Sequence, residues 1–313
     1  MFIIIILLIE CIFYLKIKKE VFVINNFVIV TDSSCDLPQD IINKFSIHYI
    51  GLVCNFNNSD YIEDCGKSIS YKDFYDALRN GAMPSTSQIN SYRFYEVFEK
   101  YAKDNIPVIY IAFSSGLSGT YNSSLIARED ILENYPNADI SIIDTRSASL
   151  GVGLLVYDAC VLKEKGASKE DIVSYLEDTK LKVNHIFTVD DLNHLKRGGR
   201  ISPAVATIGS LLQVKPLLYM PNEGTLQNFS KVKGRKKSIK ALFTKFEEKV
   251  VDVENQTIFI SHGDCIEDAE RLASLIKEKY NVEIIINYIG LAIGSHSGPN
   301  TLTVFFKGND RSV

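Results

Sequence analysis

Residues 107–124 read PVIYIAFSSGLSGTYNSS. Residues 108–113 form an unbroken aliphatic and aromatic run, the pattern of a short strand buried on both faces. Residues 114–118 are a tight loop of small hydroxyls around Gly116. From Gly119 a helix is predicted, with Leu117, Tyr121 and Leu125 on one face. A strand that feeds a Ser/Gly/Thr loop and then a helix N-terminus is suited to holding an anion. The helix end offers free N–H groups and a favourable dipole, and the hydroxyls add donors. A single stretch of this kind also describes an ordinary solvated turn with capping serines. Its weight here comes from repetition along the chain.

Residues 27–31 (FVIVT) are the first buried strand, ending in Asp32-Ser33-Ser34 and then Asp36-Leu37-Pro38. Pro38 suits the first turn of a helix over 38–45. Residues 47–56 read as one further extended segment. Ser70 and Asp73 form a capping-box pattern for a helix through Leu78. Residues 84–90 (PSTSQIN) read as a second hydroxyl loop, before a helix carrying Phe94, Val97, Phe98 and Tyr101 on one face. Residues 140–143 are another buried strand, running into a third loop at 144–149 (DTRSAS) and a helix over 151–165. Alternating strands and helices predict a parallel, doubly wound sheet. Ligands bind such sheets at the carboxyl ends of the strands, so the loops after Thr31, Phe113 and Ile143 should gather on one edge.

The second half changes style. A helix over 168–179 opens with Ser168 and Asp171 as a capping box. Strands are predicted at 186–189, 215–219, 257–260, 282–286 and 301–306, with a helix at 268–279. Residues 191–200 (DLNHLKRGGR) read as a short helix and a basic Gly-Gly turn, 208–213 as an apolar segment, and Gly224 as a hairpin turn. The basic run KVKGRKK at 231–237 is expected to open a helix from Ser238. Residues 289–299 (IGLAIGSHSGP) are expected to be a Gly/Ser-rich loop around His296. This mixture predicts a two-layer α/β domain. The expected boundaries are 27–150 for the N-terminal domain and 151–308 for the C-terminal one.

Composition limits the chemistry. With 34 basic and 38 acidic residues the net charge is −4, which suggests no nucleic-acid partner. The six cysteines and five histidines are scattered without zinc spacing, which points to a reduced, cytoplasmic protein and no metal. Neither G-x-G-x-x-G nor G-x-x-x-x-G-K-[ST] occurs, so neither NAD nor ATP is indicated. Residues 1–15 (MFIIIILLIECIFYL) are short for a membrane span, which needs roughly 20 residues. Residues 1–26 read as an apolar extension, either a membrane-surface segment, an extra buried element or, the favoured reading, the product of an upstream start. Ser118 and His296 raise a hydrolase or transferase reading, although the nucleophile elbow G-x-S-x-G is absent. Asp32, Asp36 and Asp144 are candidate acids or orienting groups, or simply caps. Arg197 and the 231–237 run are candidates for docking an acidic partner or anionic lipid.

The ordered motifs VTDSSCDLP (30–38), TSQ (86–88), FSSGLSGTYNSS (113–124), IDTRSASLGVGLL (143–155), LKRGGRIS (195–202), KPLL (215–218), GRKKSIK (234–240), ISHGD (260–264) and IGSHSGP (293–299) resemble the DegV family. The resemblance spans residues 27–308. It implies a FakB-type subunit of bacterial fatty acid kinase: a carrier with no catalytic site and no cofactor, holding one long-chain fatty acid in an apolar tunnel between two domains. A separate ATP-dependent subunit then phosphorylates the carboxylate. The carboxylate site carries over onto Thr86 with Ser87, Ser118 with Gly119 and Thr120, Arg200 in competition with Arg197, and His296. The basic run and the Gly-Gly turn, read from their charge rather than from the resemblance, make Arg197, Lys233, Arg235 and Lys236 the candidate residues for docking that subunit. Two positions depart from the family pattern: Ser295 stands where threonine is usual, and Asn300 where glycine is common.

Overall fold

The computed structural model describes residues 26–57, 59–201 and 213–313. The N-terminal extension and most of the apolar 208–213 segment lie outside the described residues. In chain order the elements are β1 Val28–Asp32, α1 Gln39–Lys44, β2 His48–Ile50, β3 Val53–Phe56, β4 Ser59–Ile62, α2 Tyr71–Arg79, β5 Ser85–Ser87, α3 Ser91–Lys103 and β6 Val108–Ala112. There follow α4 Thr120–Asn134, β7 Ile140–Asp144, α5 Leu150–Glu164, α6 Lys169–Thr179, β8 Val183–Thr188, α7 Asn193–Arg197, β9 Val214–Tyr219 and β10 Gln227–Lys233. The described chain closes with α8 Arg235–Lys249, β11 Ile258–His262, α9 Ile266–Lys277, β12 Ile284–Tyr288, α10 Leu291–Ser297 and β13 Leu302–Lys307.

The buried runs at 28–32, 108–112 and 140–144 become strands of one parallel sheet in the order β2-β1-β6-β7. Alternate side chains leave opposite faces of each strand. Ile29, Ile109 and Ile111 meet Leu150, Leu154 and Leu155 of α5 on one face. Val30, Val108 and Tyr110 meet Phe94 and Phe98 of α3 and Ala127 and Ile131 of α4 on the other. The N-terminal part is therefore three-layered. The second sheet, β10-β9-β8-β13-β11-β12, is mixed: only β11 and β12 pair in parallel. Its outer face packs on α8 and α9 through Leu242, Phe246 and Leu272. Phe259 and Phe305 join the cluster around α5. Helix α5 is thus apolar almost all round because it serves both sheets. These features agree with the predicted α/β architecture.

Four local expectations are corrected. The 47–56 segment is two strands, β2 in the parallel sheet and β3 in a separate antiparallel sheet, β4-β3-β5. Residues 85–87 are strand β5 rather than loop, because Cys54 pairs with Thr86 and Val53 with Ser87 along β3. The basic run does not simply open a helix: residues 231–233 end β10, Gly234 turns at φ 93°, and α8 begins at Arg235. The loop predicted around His296 is helix α10. Its glycines allow close approach: a Cβ on Gly294 would stand 2.6 Å from the Tyr75 hydroxyl. Tertiary packing there outweighs the poor helix propensity of glycine and serine.

The predicted edge forms. Asp32, at the end of β1, accepts hydrogen bonds from Ser34 N, Tyr110 Oη and Phe113 N at 2.9, 2.6 and 3.3 Å. Asp144, at the end of β7, accepts from Ser115 N and Oγ at 3.1 and 2.6 Å. Ser114 N donates to Ser147 O at 3.0 Å. The aspartates therefore tie the three loops together.

Candidate ligand-binding site

A cavity of about 360 Å³ lies where this edge meets the mixed sheet. Thr86, Ser87, Ser118, Gly119, Arg200 and His296 all border it. Thr120 does not, but it positions one that does: its Oγ1 lies 2.9 Å from Ser118 Oγ, and its N–H donates to Ser118 Oγ at 3.2 Å. The remainder of the wall is largely apolar, with Phe113 and Leu117 from the N-terminal part, Phe187 and Phe305 from the mixed sheet, and Met220 and Leu226 from the turn between β9 and β10.

Each polar side chain has a structural reason for its place. Thr86 is fixed by the β3–β5 ladder, and its Oγ1 lies 2.7 Å from His296 Nε2 in a hydrogen bond. The His296 ring packs on Gly198, where a Cβ would stand 2.1 Å from Nδ1. Burial, then the positive charges of Arg200 and Arg197, holds the imidazole down to about 4, so it is neutral near pH 7. Arg200 Nη2 donates to Leu117 O at 3.1 Å and Nη1 to Gly198 O. Burial lowers its pKa too. Arg200 makes no ion pair among the described residues, so a half-buried cation faces the cavity with only carbonyl partners. An anionic ligand group would complement it. Gly119 is tight against Gln88, whose Oε1 would lie 2.1 Å from a Cβ there.

His296 bonds Thr86 and Ser118 bonds Thr120, and no hydrogen bond joins Ser118 to His296 among the described residues. Of the docking candidates, Arg197, Lys233 and Lys236 are exposed. Arg235 is drawn inward, with Nε 2.8 Å from Asp268 Oδ2 and Nη1 3.8 Å from Asp190 Oδ1. Arg197 Nη2 bonds His194 Nδ1 at 3.0 Å rather than competing with Arg200. Asn300 adopts φ 61°, the left-handed region that glycine fills most readily and asparagine next, and donates to Asp190 at 2.8 Å. That accounts for asparagine at a position where glycine is common.

Several site residues escaped the sequence reading. Ser297 borders the cavity, and its buried Oγ has no partner among the described residues. Gln88 was visible only as the third residue of TSQ. His185 also borders the cavity; burial, then Arg311, keeps its pKa well below the ordinary value. Arg311, beyond the predicted domain end, donates to Arg146 O at 2.5 Å, Lys180 O at 2.5 Å and Ser147 Oγ at 2.8 Å, bracing the third loop.

The family model described as "Uncharacterised protein, DegV family COG1307" matches residues 26–309. A DegV domain-containing protein of Clostridium perfringens is 57% identical over 286 residues, 91% of this chain and 98% of that protein. A crystal structure of DegV, a fatty acid binding protein from Bacillus subtilis, is similar with TM-score 0.79 and 33% identity, covering 91% of this chain and 99% of that one. A structure of fatty acid binding by a DegV family protein from Thermus thermophilus is similar with TM-score 0.80 and 29% identity, covering 90% of this chain and 99% of that one.

Proposed function

We propose that this chain, which belongs to the DegV family, binds one long-chain fatty acid and presents its carboxylate to an ATP-dependent kinase subunit. The carboxylate is assigned to Thr86, Ser87, Ser118, Gly119, Thr120, Arg200 and His296, and the tail to the apolar wall. The observation that carries this reading is the cavity itself. A cation and several hydroxyls without a carboxylate partner meet an apolar chamber built from both sheets. Each buried methylene contributes roughly 0.8 kcal/mol, whereas a buried carboxylate needs charge-assisted hydrogen bonds to offset its desolvation.

In this reading the chain is a carrier with no chemistry of its own and no cofactor. On the partner, a carboxylate oxygen takes the terminal phosphoryl group of ATP and ADP leaves. The exposed Arg197, Lys233 and Lys236 are assigned to docking. We place the protein in the cytoplasm, with transient contact at a membrane surface for ligand transfer. The described cysteines are all free thiols, which supports a reducing compartment. Among the described residues no helix is long and apolar enough to cross a membrane.

The test is native mass spectrometry of the purified protein, then solvent extraction. One fatty acid per chain is expected, with occupancy lost in His296→Ala and Thr86→Val. A protein that is empty and takes up no added palmitate would refute the reading. Charge reversal at Lys233 and Lys236 should slow acyl-phosphate formation at unchanged lipid occupancy. Unchanged kinetics would remove those residues from the docking face.

A further inference from the structure

Helix α10 carries His296, and two carboxyl groups from the N-terminal part grip its other end. Gly290 N donates to Asp36 Oδ1 at 3.0 Å, Leu291 N to Glu63 Oε1 at 2.5 Å and Ala292 N to Glu63 Oε2 at 3.2 Å. A Cβ on Gly290 would stand 1.9 Å from Glu63 Oε1 and 2.8 Å from Asp36 Oδ1, so both carboxyls close on one backbone position. Asp36 and Glu63 are both buried.

We propose that Asp36 and Glu63 form a proton-operated clamp on α10. With Glu63 ionised and Asp36 protonated, the clamp holds His296 against Thr86. When Glu63 takes up a proton the clamp slackens, and the ligand carboxylate is held more weakly. The inference rests on the fatty-acid reading and adds a regulatory input to the same site. Asp36 and Glu63 are positioning residues, since neither is assigned to the ligand carboxylate.

The hydrogen bonds divide the proton between the two groups. Glu63 turns both oxygens toward N–H donors, as an ionised carboxylate does. Asp36 Oδ2 lies 2.5 Å from Ser149 Oγ, which lies 3.1 Å from Ser261 Oγ. With a proton on Asp36, the chain runs Asp36 to Ser149 to Ser261, and Ser149 donates once. Two adjacent buried carboxyls cannot both ionise cheaply.

Neither carboxyl makes an ion pair among the described residues, and its nearest titratable neighbours are acids, thiols and phenols. From the end of β1 come Asp32 and Cys35, and from β2 comes Tyr49. Cys65 and then Tyr71 and Tyr75 of α2 complete the set. Burial, then the Asp32 charge, pushes Glu63 up to about 7. Burial, then the Glu63 charge, raises Asp36 well above the carboxylate range. Among the described residues, no group of acids, histidines and cysteines is placed to hold a metal ion.

Glu63 is buried but lines a surface groove with Lys67 and Arg93, and neither cation pairs with it among the described residues. His296, held down to about 4, does not titrate in the same range.

The experiment is a palmitate titration of delipidated protein at pH 6 and pH 8, in the wild type and Glu63→Gln. A glutamine offers one acceptor where the carboxylate offers two, so it mimics the slack state. Wild-type affinity should fall about tenfold from pH 8 to pH 6, the equivalent of one charge-assisted hydrogen bond. Glu63→Gln should show the low value at both. A variant that binds as tightly as wild type at pH 8, or that slopes as steeply, overturns the proposal. Amide exchange at 290–292 in ligand-free wild type, corrected for intrinsic rates, should be about tenfold less protected at pH 6 than at pH 8. Equal protection at both pH values also overturns it. This second readout needs no ligand, so a protein that never binds palmitate yet loses protection at pH 6 would sink the fatty-acid reading and keep the clamp.

Discussion

Gly198 and Gly199 are adjacent and do different work. Gly198 has an ordinary helical φ of −72°, but a Cβ there would stand 2.1 Å from His296 Nδ1. Gly199 has φ +70° and nothing within 4 Å of a Cβ. Gly198→Ala should therefore push the His296 ring off Thr86 and weaken fatty-acid binding by about tenfold, with little loss of stability. Gly199→Ala should instead cost about 1 kcal/mol of backbone strain and leave affinity near wild type. Paired urea melts and palmitate titrations separate the two. Affinity lost equally in both variants would mean that the whole turn, rather than the ring contact, sets the site. Glu63 adds a pH signature at the same scale. Its carboxyl goes from 4.5 unfolded to about 7 folded, so between those values the folded state binds more protons. Its contribution to stability is present below about 4.5 and is lost as pH rises through about 7. The urea midpoint should fall from pH 5 to pH 7.5, less steeply in Glu63→Gln. Stability and ligand affinity then move in opposite directions with pH, which a purely structural carboxyl would not produce.

Elements whose side chains are buried by type were legible in the sequence; elements held by their neighbours were not. Strand β6 announces itself because a parallel strand covered on both faces is apolar throughout, and β1 and β7 do so through their Val- and Ile-rich runs. Helix α6 announces itself through the Ser168–Asp171 capping box, which forms as expected. Helix α10 gives no such signal. Its Gly290, Gly294 and Gly298 read as loop residues, and its N-terminal N–H groups are satisfied by Asp36 and Glu63, remote in sequence. Ser118, His296 and the basic turn at Arg200 stand out by residue type, Thr86 is singled out through the ordered motifs, and no pattern marks Glu63. Helix α5 gives the test at this scale. Replacing glycine by alanine in a helix interior normally gains about 1 kcal/mol from propensity. At Gly153 the new Cβ would lie 2.6 Å from Cys35 O, a backbone atom with little room to move. Gly153→Ala should therefore destabilise the protein by about 1–3 kcal/mol, as overpacking does. A gain in denaturation midpoint would show that α5 can shift away from the end of β1.

For the whole molecule, the cavity is a seam between the parallel-sheet edge and the mixed sheet. Phe113 and Ala148 come from loops at the edge of the parallel sheet, and Phe187 and Phe305 come from the mixed sheet. No single stretch of sequence encodes such a wall, which is why the apolar lining was invisible to pattern reading while the hydroxyl loops were not. A ligand lying along the seam touches both halves and should stabilise them together. At one hundred times its dissociation constant, a bound fatty acid adds about 2.7 kcal/mol. Delipidation should then lower the unfolding midpoint by several degrees and restore it on adding palmitate. A midpoint indifferent to lipid would mean the seam is filled by side chains alone. Chain-length preference follows from the same geometry. Ala148 is the smallest side chain in the wall at the third loop, so Ala148→Leu fills space that methylenes would otherwise occupy. Each methylene excluded costs the ligand roughly 0.8 kcal/mol, about a fourfold change in affinity. The extracted fatty acids should therefore shift toward shorter chains in Ala148→Leu, and an unchanged length distribution would place the tail along another part of the wall.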